Sequence, residues 1–338
     1  MSEIERRKQD HIDIVLSGRA AHRQPAGFDA IAFEHNALPE CDLAAIDLAT
    51  SFLGKSLRLP YLASSMTGGP SIADRINQSI AEAAQELGFA FGVGSQRIGL
   101  SGGQRHGLDR RLRQLAPDVP IYANLGAVQL VHGMGAEQAL RAVNDIGADG
   151  LILHLNPLQE ALQDEGDRNW LGVEAAIAAL AQQMPVPIIA KEVGSGISAA
   201  VARRLVNCGI AAVDVAGAGG TSWAAVEGQR SRDPATQDLG EIFRDWGIPT
   251  PDCLRAIRAE LPDLPLIASG GIRNGLDGAK AIRLGAGLVG QAGPLLPAAA
   301  SGTDSVIAHV RHWAQALRIA CFATGSRNLS ELRGAPLL

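Results

Sequence analysis

The sequence contains few aromatic residues and few cysteines, and the spacing of the cysteines excludes two kinds of structure. Aromatic residues make up 4% of the chain. The four cysteines, Cys41, Cys208, Cys253 and Cys321, form no CxxC pair, so neither a zinc ribbon nor a disulfide framework is expected. No apolar run reaches the length of a membrane span, and the first ten residues lack the apolar core of a signal peptide. We therefore expect a cytoplasmic protein that does not bind a membrane.

An excess of positive charge is also absent. The formal net charge of −5 gives no basic surface of the kind that binds nucleic acid, so no nucleic-acid partner is expected. Hydrophobic residues make up 46% of the chain and charged residues 19%, which is typical of a globular protein with a large core. The 39 glycines suit tight turns and the close approach of a ligand to the backbone.

From residue 58 onward, short apolar segments alternate with amphipathic ones. The candidate strands are 57–63, 89–93, 119–124, 150–155, 186–190, 211–215, 264–268 and 287–290. The candidate helices are 72–87, 107–115, 135–146, 173–183, 198–207, 251–261, 276–284 and 304–320. Short apolar strands without alternation are typical of a parallel sheet covered on both faces. Eight strand–helix units predict an α/β protein with a (β/α)8 TIM barrel, and a doubly wound open sheet is the alternative.

The remaining segments are less regular. Residues 1–57 would form an N-terminal extension and residues 58–338 the barrel. Within the extension, residues 28–33 predict either a short strand or a cap under the barrel. The longest interruption of the repeat is 217–249, which would serve as a lid or as a packing surface for another subunit.

Polar and glycine-rich segments follow all eight candidate strands. They are 64–69, 94–97, 124–126, 154–160, 191–194, 216–222, 269–273 and 290–293. In a TIM barrel the carboxyl ends of the strands meet at one face and form the active site. The glycines after the last three strands indicate a phosphate site, because successive backbone N–H groups can converge on an anion. Gly270 and Gly271 would equally suit a tight turn, but the nearby Arg273 favours the anion.

Several side chains at these ends have two interpretations. Lys191 would contact a ligand or form a salt bridge with Glu192, although adjacent strand residues face opposite sides. Glu160 suits Mg²⁺ beside phosphate oxygens, or it is an acid in the first turn of a helix. His154 would donate to phosphate, act as an acid, or be a satisfied structural histidine. Gln159 would position a group by hydrogen bonding.

Taken together, these segments resemble the type 2, FMN-dependent isopentenyl diphosphate isomerases over nearly the whole chain. The residues that carry the resemblance are Arg7, Lys8, His11, 66–69 (MTGG), 94–97 (GSQR), 124–126 (NLG), 154–160 (HLNPLQE), 191–194 (KEVG), 217–223 (GAGGTSW) and 269–273 (SGGIR). The HLNxxQE and SQR segments are specific to that family, whereas the glycine-rich segments are shared with other FMN barrels.

The resemblance implies a reaction and a set of residues. Isopentenyl and dimethylallyl diphosphate would interconvert by a 1,3-allylic proton shift, with reduced FMN as acid and base, Mg²⁺ on the diphosphate and NADPH as flavin reductant. FMN would contact Met66, Thr67, Gly68, Ser95, Asn124, Lys191, Ala216, Thr221, Gly271, Ile272, Arg273, Ala292 and Gly293. The substrate would contact Arg7, Lys8, His11, Ser95, Arg97, His154, Asn156 and Gln159. Glu160 would bind Mg²⁺, and Gln159, His154 and Lys191 would be catalytic. The assembly would be a homotetramer or a larger homo-oligomer.

One residue departs from the pattern, because some members of the family have serine where Ala216 stands. Three other functions would place different demands on the sequence. A hydroxy-acid oxidase needs a basic histidine, usually after the sixth strand, and 214–220 (DVAGAGG) has none. An inosine-monophosphate-type dehydrogenase needs a loop cysteine at the rim, and no cysteine ends a strand. A non-catalytic flavin- or phosphate-binding protein would not need Gln159, Glu160, Arg97 and Lys191 together.

Overall fold

The structure is a computed structural model that describes residues 3–66, 71–100, 102 and 107–338. Its strands are β1 (Thr50–Phe52), β2 (Lys55–Leu57), β3 (Tyr61–Ala63), β4 (Ala90–Gly92), β5 (Ile121–Gly126), β6 (Gly150–Leu155), β7 (Ile188–Glu192), β8 (Ala212–Asp214), β9 (Leu266–Ala268) and β10 (Leu288–Gln291).

Its helices are α1 (Glu3–Leu16), α2 (Ser71–Leu87), α3 (Arg97–Leu100), α4 (Arg111–Leu115), α5 (Ala136–Ile146), α6 (Pro157–Leu162), α7 (Val173–Ala181), α8 (Ala199–Asn207), α9 (Trp223–Arg230), α10 (Pro234–Ile242), α11 (Thr250–Glu260), α12 (Gly275–Arg283), α13 (Leu296–Ser301), α14 (Thr303–Ala323) and α15 (Leu329–Gly334). Among the described residues, no helix is long and apolar enough to cross a membrane.

Strands β3 to β10 form a closed parallel barrel in which β10 pairs with β3. The predicted TIM barrel is therefore confirmed, and the open sheet is wrong. Each of the eight predicted strands overlaps an observed one. The fifth is displaced toward its carboxyl end, from 186–190 to Ile188–Glu192, so Lys191 and Glu192 lie within the strand.

The barrel interior is built in layers. One apolar cluster takes one residue from every barrel strand: Leu62, Ala90, Tyr122, Ile152, Ile189, Ala212, Ile267 and Leu288. Successive inward-facing residues of a strand are two apart. Two residues farther along the chain come Ser64, Gly92, Asn124, His154, Lys191, Asp214, Ser269 and Gly290. We call this second set the floor layer, because it separates the apolar interior from the carboxyl face.

The amino end of the barrel is closed by a hairpin that the sequence analysis did not identify. Strands β1 and β2 pair antiparallel, and Phe52 and Leu57 join the apolar cluster of the interior. The segment 28–33 is neither a strand nor this cap. Residues Phe28–Ala30 form a 3-10 turn, and the Phe28 carbonyl accepts a hydrogen bond from Lys280 of α12.

The interruption 217–249 folds into helices α9 and α10, which pack tightly against each other. A Cβ atom on Gly240 would lie 2.7 Å from the Cα of Gly228, so the two helices approach at backbone contact. Helix α9 also contacts α1 and α6. On the other side, Ile242 and Trp246 are exposed to solvent. One insertion thus has a face toward the barrel mouth and an apolar outer face.

Candidate functional site

A cavity of about 580 Å³ opens at the carboxyl face of the barrel. Every predicted site residue that the structure describes lines it: Arg7, Lys8, His11, Met66, Ser95, Arg97, Asn124, His154, Asn156, Gln159, Glu160, Lys191, Ala216, Thr221, Gly271, Ile272, Arg273, Ala292 and Gly293. Thr67 and Gly68 lie outside the described residues. Residues far apart in the sequence are together because parallel strands end at one face and α1 contacts α9 at that face.

His154 is held as a neutral imidazole. Its Nδ1 lies 2.7 Å from Oδ1 of Asn124, whose amide nitrogen donates to the Val93 carbonyl. The Asn124 oxygen is therefore the acceptor, which assigns the proton to Nδ1. Burial, with the charges of Lys191, Lys8 and Arg97, lowers the pKa of His154 to about 3. An acid role at neutral pH therefore has no support in this state, and donation from Nε2 to a phosphate would require a second proton.

The alternative salt bridge between Lys191 and Glu192 does not form. The Lys191 ammonium donates to the Glu192 carbonyl at 2.6 Å. The Glu192 carboxylate instead accepts from the backbone N–H groups of the next three residues, Val193, Gly194 and Ser195. Burial raises the pKa of Glu192 to about 6 despite these donors. Because neighbouring residues of a strand point to opposite faces, Lys191 alone reaches the cavity.

Asp214 is a buried carboxylate that the sequence analysis did not single out. It is the register partner of Lys191 on the next strand and is fully buried. Its Oδ1 accepts a hydrogen bond from the Ser269 hydroxyl at 2.6 Å. Burial raises the pKa of the Asp214 carboxyl, while the Lys191 charge opposes that rise. The only sequence signal was a carboxylate at the end of an apolar strand.

The Gln159 side chain is fixed at both ends. Its Nε2 donates to Glu227 Oε1 at 2.9 Å, and its Oε1 accepts from Asn156 at 3.1 Å. Glu227 is buried in α9, and its Oε2 accepts from Arg230 at 2.8 Å. His11 Nε2 lies 3.0 Å from Glu227 Oε1. Burial would raise the pKa of Glu227, but its partners, with His11 foremost, lower it to about 2.

Glu227, which contacts Gln159, His11 and Arg230, is a site residue that could not be predicted from the sequence. It lies in the insertion, 68 positions from Gln159, and no motif marks it. A long-range pair of this kind has no periodic signal in a single sequence.

Both oxygens of Glu160 have protein donors. Oε1 accepts from Asn156 Nδ2 at 2.9 Å, and Oε2 accepts from the backbone N–H of Asp167 at 2.8 Å. In the described parts of the chain, no group of three or more His, Cys, Asp or Glu residues is arranged to hold a metal. A cation at Glu160 would therefore need oxygens from a ligand, which is the usual mode of Mg²⁺ beside phosphates.

Three cationic side chains from the N-terminal third of the chain line the cavity: Arg7, Lys8 and Arg97. Lys8 Nζ lies 3.5 Å from the Ser95 carbonyl. Burial and the charges of Arg7 and Arg97 lower the pKa of Lys8 to about 7. Concentrated positive charge in a partly buried site favours an anionic ligand.

The opposite side of the cavity is formed by glycine turns. Gly270 and Gly271 have φ values of 90° and 70°, in the left-handed region that favours glycine. A Cβ atom on Gly220 would lie 2.7 Å from the Gly271 nitrogen. The Arg273 guanidinium pairs with Asp277 at 3.0 Å and with Asp29 at 2.7 Å, so its charge is already compensated. An anion here would depend mainly on backbone N–H groups.

The sequence relatives decide the family. A family described as FMN-dependent dehydrogenase matches residues 108–337. Proteins named isopentenyl-diphosphate delta-isomerase match nearly the whole chain. The one from Xanthobacter autotrophicus is 57% identical, over 98% of this chain and 97% of its own. The one from Vibrio campbellii is 54% identical over 99% of this chain and 99% of its own. The one from Synechocystis is 48% identical over 100% of this chain and 97% of its own. The chain belongs to the FMN-dependent, type 2 isopentenyl-diphosphate delta-isomerase family.

Solved structures show how widely this family's fold is shared. A lactate oxidase of Pediococcus acidilactici superposes with a TM-score of 0.67 at 16% identity, over 99% of this chain and 93% of that one. A flavocytochrome b2 variant superposes with a TM-score of 0.70 at 16% identity, over 97% of this chain and 82% of that one. At this identity the likeness concerns the fold alone.

The volume and the lining of the cavity fit FMN, the flavin of this family. Its volume lies in the range of pockets that enclose a cofactor. Its glycine turns leave backbone exposed where a phosphate needs N–H donors. Within the described part of the chain, the buried hydroxyls of Ser64 and Ser65 and the Oδ1 of Asn156 have no hydrogen-bond partner. Ala216 has a φ of 36°, an uncommon conformation for alanine, and such strained residues cluster at ligand sites.

Proposed function

We propose that this chain interconverts isopentenyl diphosphate and dimethylallyl diphosphate by a 1,3-allylic proton shift, with FMN as cofactor. The observation that carries the proposal is one cavity lined both by glycine turns and by the cations Arg7, Lys8 and Arg97, two linings that suit anions. Two phosphorylated ligands, a flavin mononucleotide and a diphosphate, need two such linings. Relatives that match the whole chain are named for this isomerase.

The flavin would lie over the floor layer. We assign its contacts to Met66, Thr67, Gly68, Ser95, Asn124, Lys191, Ala216, Thr221, Gly271, Ile272, Arg273, Ala292 and Gly293. Reduced FMN would supply the acid–base group for the carbon atoms. Among the described residues, neither His154 nor Glu227 offers that acid readily, because His154 is neutral and Glu227 is held ionised. Lys191 would balance the negative charge of the reduced flavin.

The diphosphate would bind to Arg7, Lys8 and Arg97, with His11, Ser95, His154 and Asn156 beside it. Arginine presents parallel donors to phosphate oxygens, and Lys8 adds a point charge. Mg²⁺ would bind Glu160 and the diphosphate together. The Oδ1 of Asn156, which has no partner among the residues that the structure describes, would accept from a donor or bind a cation.

Gln159 would position the allylic carbons against the flavin. Its carboxamide cannot titrate near neutral pH, and both of its ends are fixed by Glu227 and Asn156. A fixed amide orients a substrate without conformational search. Residues 1–57 would form an extension that brings Arg7, Lys8 and His11 to the barrel of residues 58–338.

NADPH is the proposed reductant of the flavin, and a homotetramer or a larger homo-oligomer is the proposed assembly. The exposed apolar side chains Ile242 and Trp246 support an interface, because exposed apolar patches mark interaction surfaces. The inner face of the insertion supports a role at the mouth, since Glu227 and Trp223 line or contact the site.

One assay tests the proposed function. The purified protein should be yellow from bound flavin, and with isopentenyl diphosphate, Mg²⁺ and NADPH under anaerobic conditions it should form dimethylallyl diphosphate. A yellow protein that forms none contradicts the proposal. The E160Q variant should require a higher Mg²⁺ concentration for half-maximal rate, and an unchanged Mg²⁺ dependence would refute the role of Glu160.

A further inference from the structure

Asp167 lies just outside the cavity lining, in segment 163–170 after α6. Its Oδ2 accepts a hydrogen bond from Arg97 at 2.7 Å and another from Gln129 at 2.8 Å. Its Oδ1 lies 3.9 Å from His132 Nδ1. Asp167 is therefore held by groups from α3, the turn after β5, and the segment that follows it, while its partner Arg97 faces the cavity.

The backbone of Asp167 is fixed as firmly as its side chain. Its N–H donates to Glu160 Oε2 at 2.8 Å, and its carbonyl accepts from the Trp170 indole at 3.0 Å. A Cβ atom on the preceding Gly166 would lie 1.9 Å from the Glu160 carbonyl oxygen, so the segment is packed directly on α6. One residue therefore contacts both an arginine and a carboxylate of the cavity.

We infer that Asp167 is a positioning residue that holds Arg97 ready for the diphosphate and ties that arginine to the metal-binding carboxylate Glu160. The inference rests on the proposed function. The Arg97 side chain is 41% exposed, so without a partner it would sample many rotamers. A guanidinium has five N–H donors, and one bond to Asp167 leaves a fork for phosphate oxygens. Ordering the arginine in advance lowers the entropic cost of binding.

The carboxylate of Asp167 could instead compete with the diphosphate for Arg97. The contacts argue against competition, because Gln129 also holds Asp167 and, among the described residues, the hydrogen bond from Arg97 to Asp167 uses one arginine nitrogen, NH1. Competition predicts tighter diphosphate binding when the charge of Asp167 is removed, whereas positioning predicts weaker binding. The two accounts therefore differ in the sign of one measured effect.

The test is D167N in the FMN-loaded protein. We expect the KM for isopentenyl diphosphate to rise about tenfold, as for the loss of one charge-assisted contact, with kcat changed less than about threefold. The Mg²⁺ concentration for half-maximal rate should change little, because the backbone N–H to Glu160 is kept. In an R97Q background D167N should add no further increase, since the two residues act as one unit.

The matched control is D164N, which removes the same charge from an exposed residue of the same segment and should leave KM within about twofold. An unchanged or lower KM in D167N, or additive effects of D167N and R97Q, overturns the inference. If D167N does not retain flavin, D167E gives the same test. Its longer side chain should displace Arg97 and raise KM, and an unchanged KM overturns the inference.

A binding measurement separates this inference from the proposed function. Inorganic pyrophosphate with Mg²⁺ should bind the flavin-loaded wild type and bind D167N about tenfold more weakly in calorimetry. If the wild type forms no dimethylallyl diphosphate, the proposed function fails, while this difference still supports the role of Asp167. Equal pyrophosphate affinities overturn the role of Asp167 whether or not the isomerase is active.

Discussion

Lys8 is a cation of the cavity whose charge depends on pH near neutrality. Burial and two neighbouring arginines lower its pKa to about 7, so it is protonated below that pH and neutral above it. A neutral Lys8 cannot pair with diphosphate. We therefore predict that kcat/KM for isopentenyl diphosphate falls as the pH rises through about 7, because kcat/KM reports groups of the free enzyme.

The K8R variant is the control for that profile, since arginine stays charged throughout the range. Its kcat/KM should not show the fall that depends on Lys8. Identical pH profiles of the wild type and K8R between pH 6 and 9 would remove Lys8 as the titrating group.

Glu227 determines how Gln159 is presented. In E227Q the neutral amide keeps the shape but loses the charge that pairs with His11 and Arg230. We predict a fall in kcat of about a hundredfold from misplacement of Gln159, with KM changed much less. Flavin absorbance should stay the same. Stopped assays at saturating isopentenyl diphosphate measure the effect on kcat. The control is D238N, at an exposed residue of α10. An undiminished kcat in E227Q would contradict the role of Glu227 in positioning Gln159.

Site residues at strand ends could be predicted from the strand pattern, Arg7, Lys8 and His11 from the family resemblance, and Glu227 and Asp167 from neither. Asn124, His154 and Lys191 follow from the strand period, since inward-facing residues are two apart and the barrel places every carboxyl end at one face. Glu227 and Asp167 reach the site through contacts across 68 and 70 positions of the chain. Their side chains resemble those of any surface acid, so only the folded structure identifies them.

At the scale of elements, the insertion 217–249 depends on the contact between α9 and α10. A methyl group on Gly240 would lie 2.7 Å from Gly228 Cα and 2.8 Å from the Ala224 carbonyl, so the helices must separate. We predict that G240A lowers the free energy of unfolding by about 1–3 kcal/mol and lowers kcat, because Glu227 moves with α9.

G334A is the matched control for the helix contact. Gly334 ends α15, and no atom lies within 4 Å of an added Cβ. Urea unfolding of the two variants, read by circular dichroism, measures the difference. If G240A is as stable and as active as G334A, the close packing does not position Glu227.

Elements with long periodic patterns or with a place in the eightfold repeat were predicted well, and the hairpin outside that repeat was not. Helices such as α2 and α14 have apolar residues at regular spacing over many positions, and the barrel strands, four of which have three residues, are short apolar segments that recur in every strand–helix unit. The strands of the hairpin, β1 and β2, also have three residues each, but they lie outside the eightfold repeat that identifies the barrel strands. Residues 28–33 are apolar because Phe28 and Ile31 are buried, not because they form a strand.

At the scale of the whole molecule, one barrel serves different reactions. Lactate oxidase and flavocytochrome b2 share the fold at 16% identity. The barrel brings eight strand ends together and leaves the chemistry to a few side chains. Within the described lining of this cavity, the histidines are His11, from the extension, and His154, at the end of β6. The residues after β8 that line the cavity include Ala216, Gly217, Gly219 and Gly220.

The central claim is that this FMN barrel moves a proton without net oxidation of its substrate. Anaerobic NMR in deuterated water, with NADPH far below the substrate concentration, tests it most directly. Isopentenyl and dimethylallyl diphosphate as separate starting materials should reach the same final ratio, with solvent deuterium in both and many turnovers for each NADPH consumed. Consumption of one reductant for each product formed, or no conversion by flavin-loaded protein, would contradict the account.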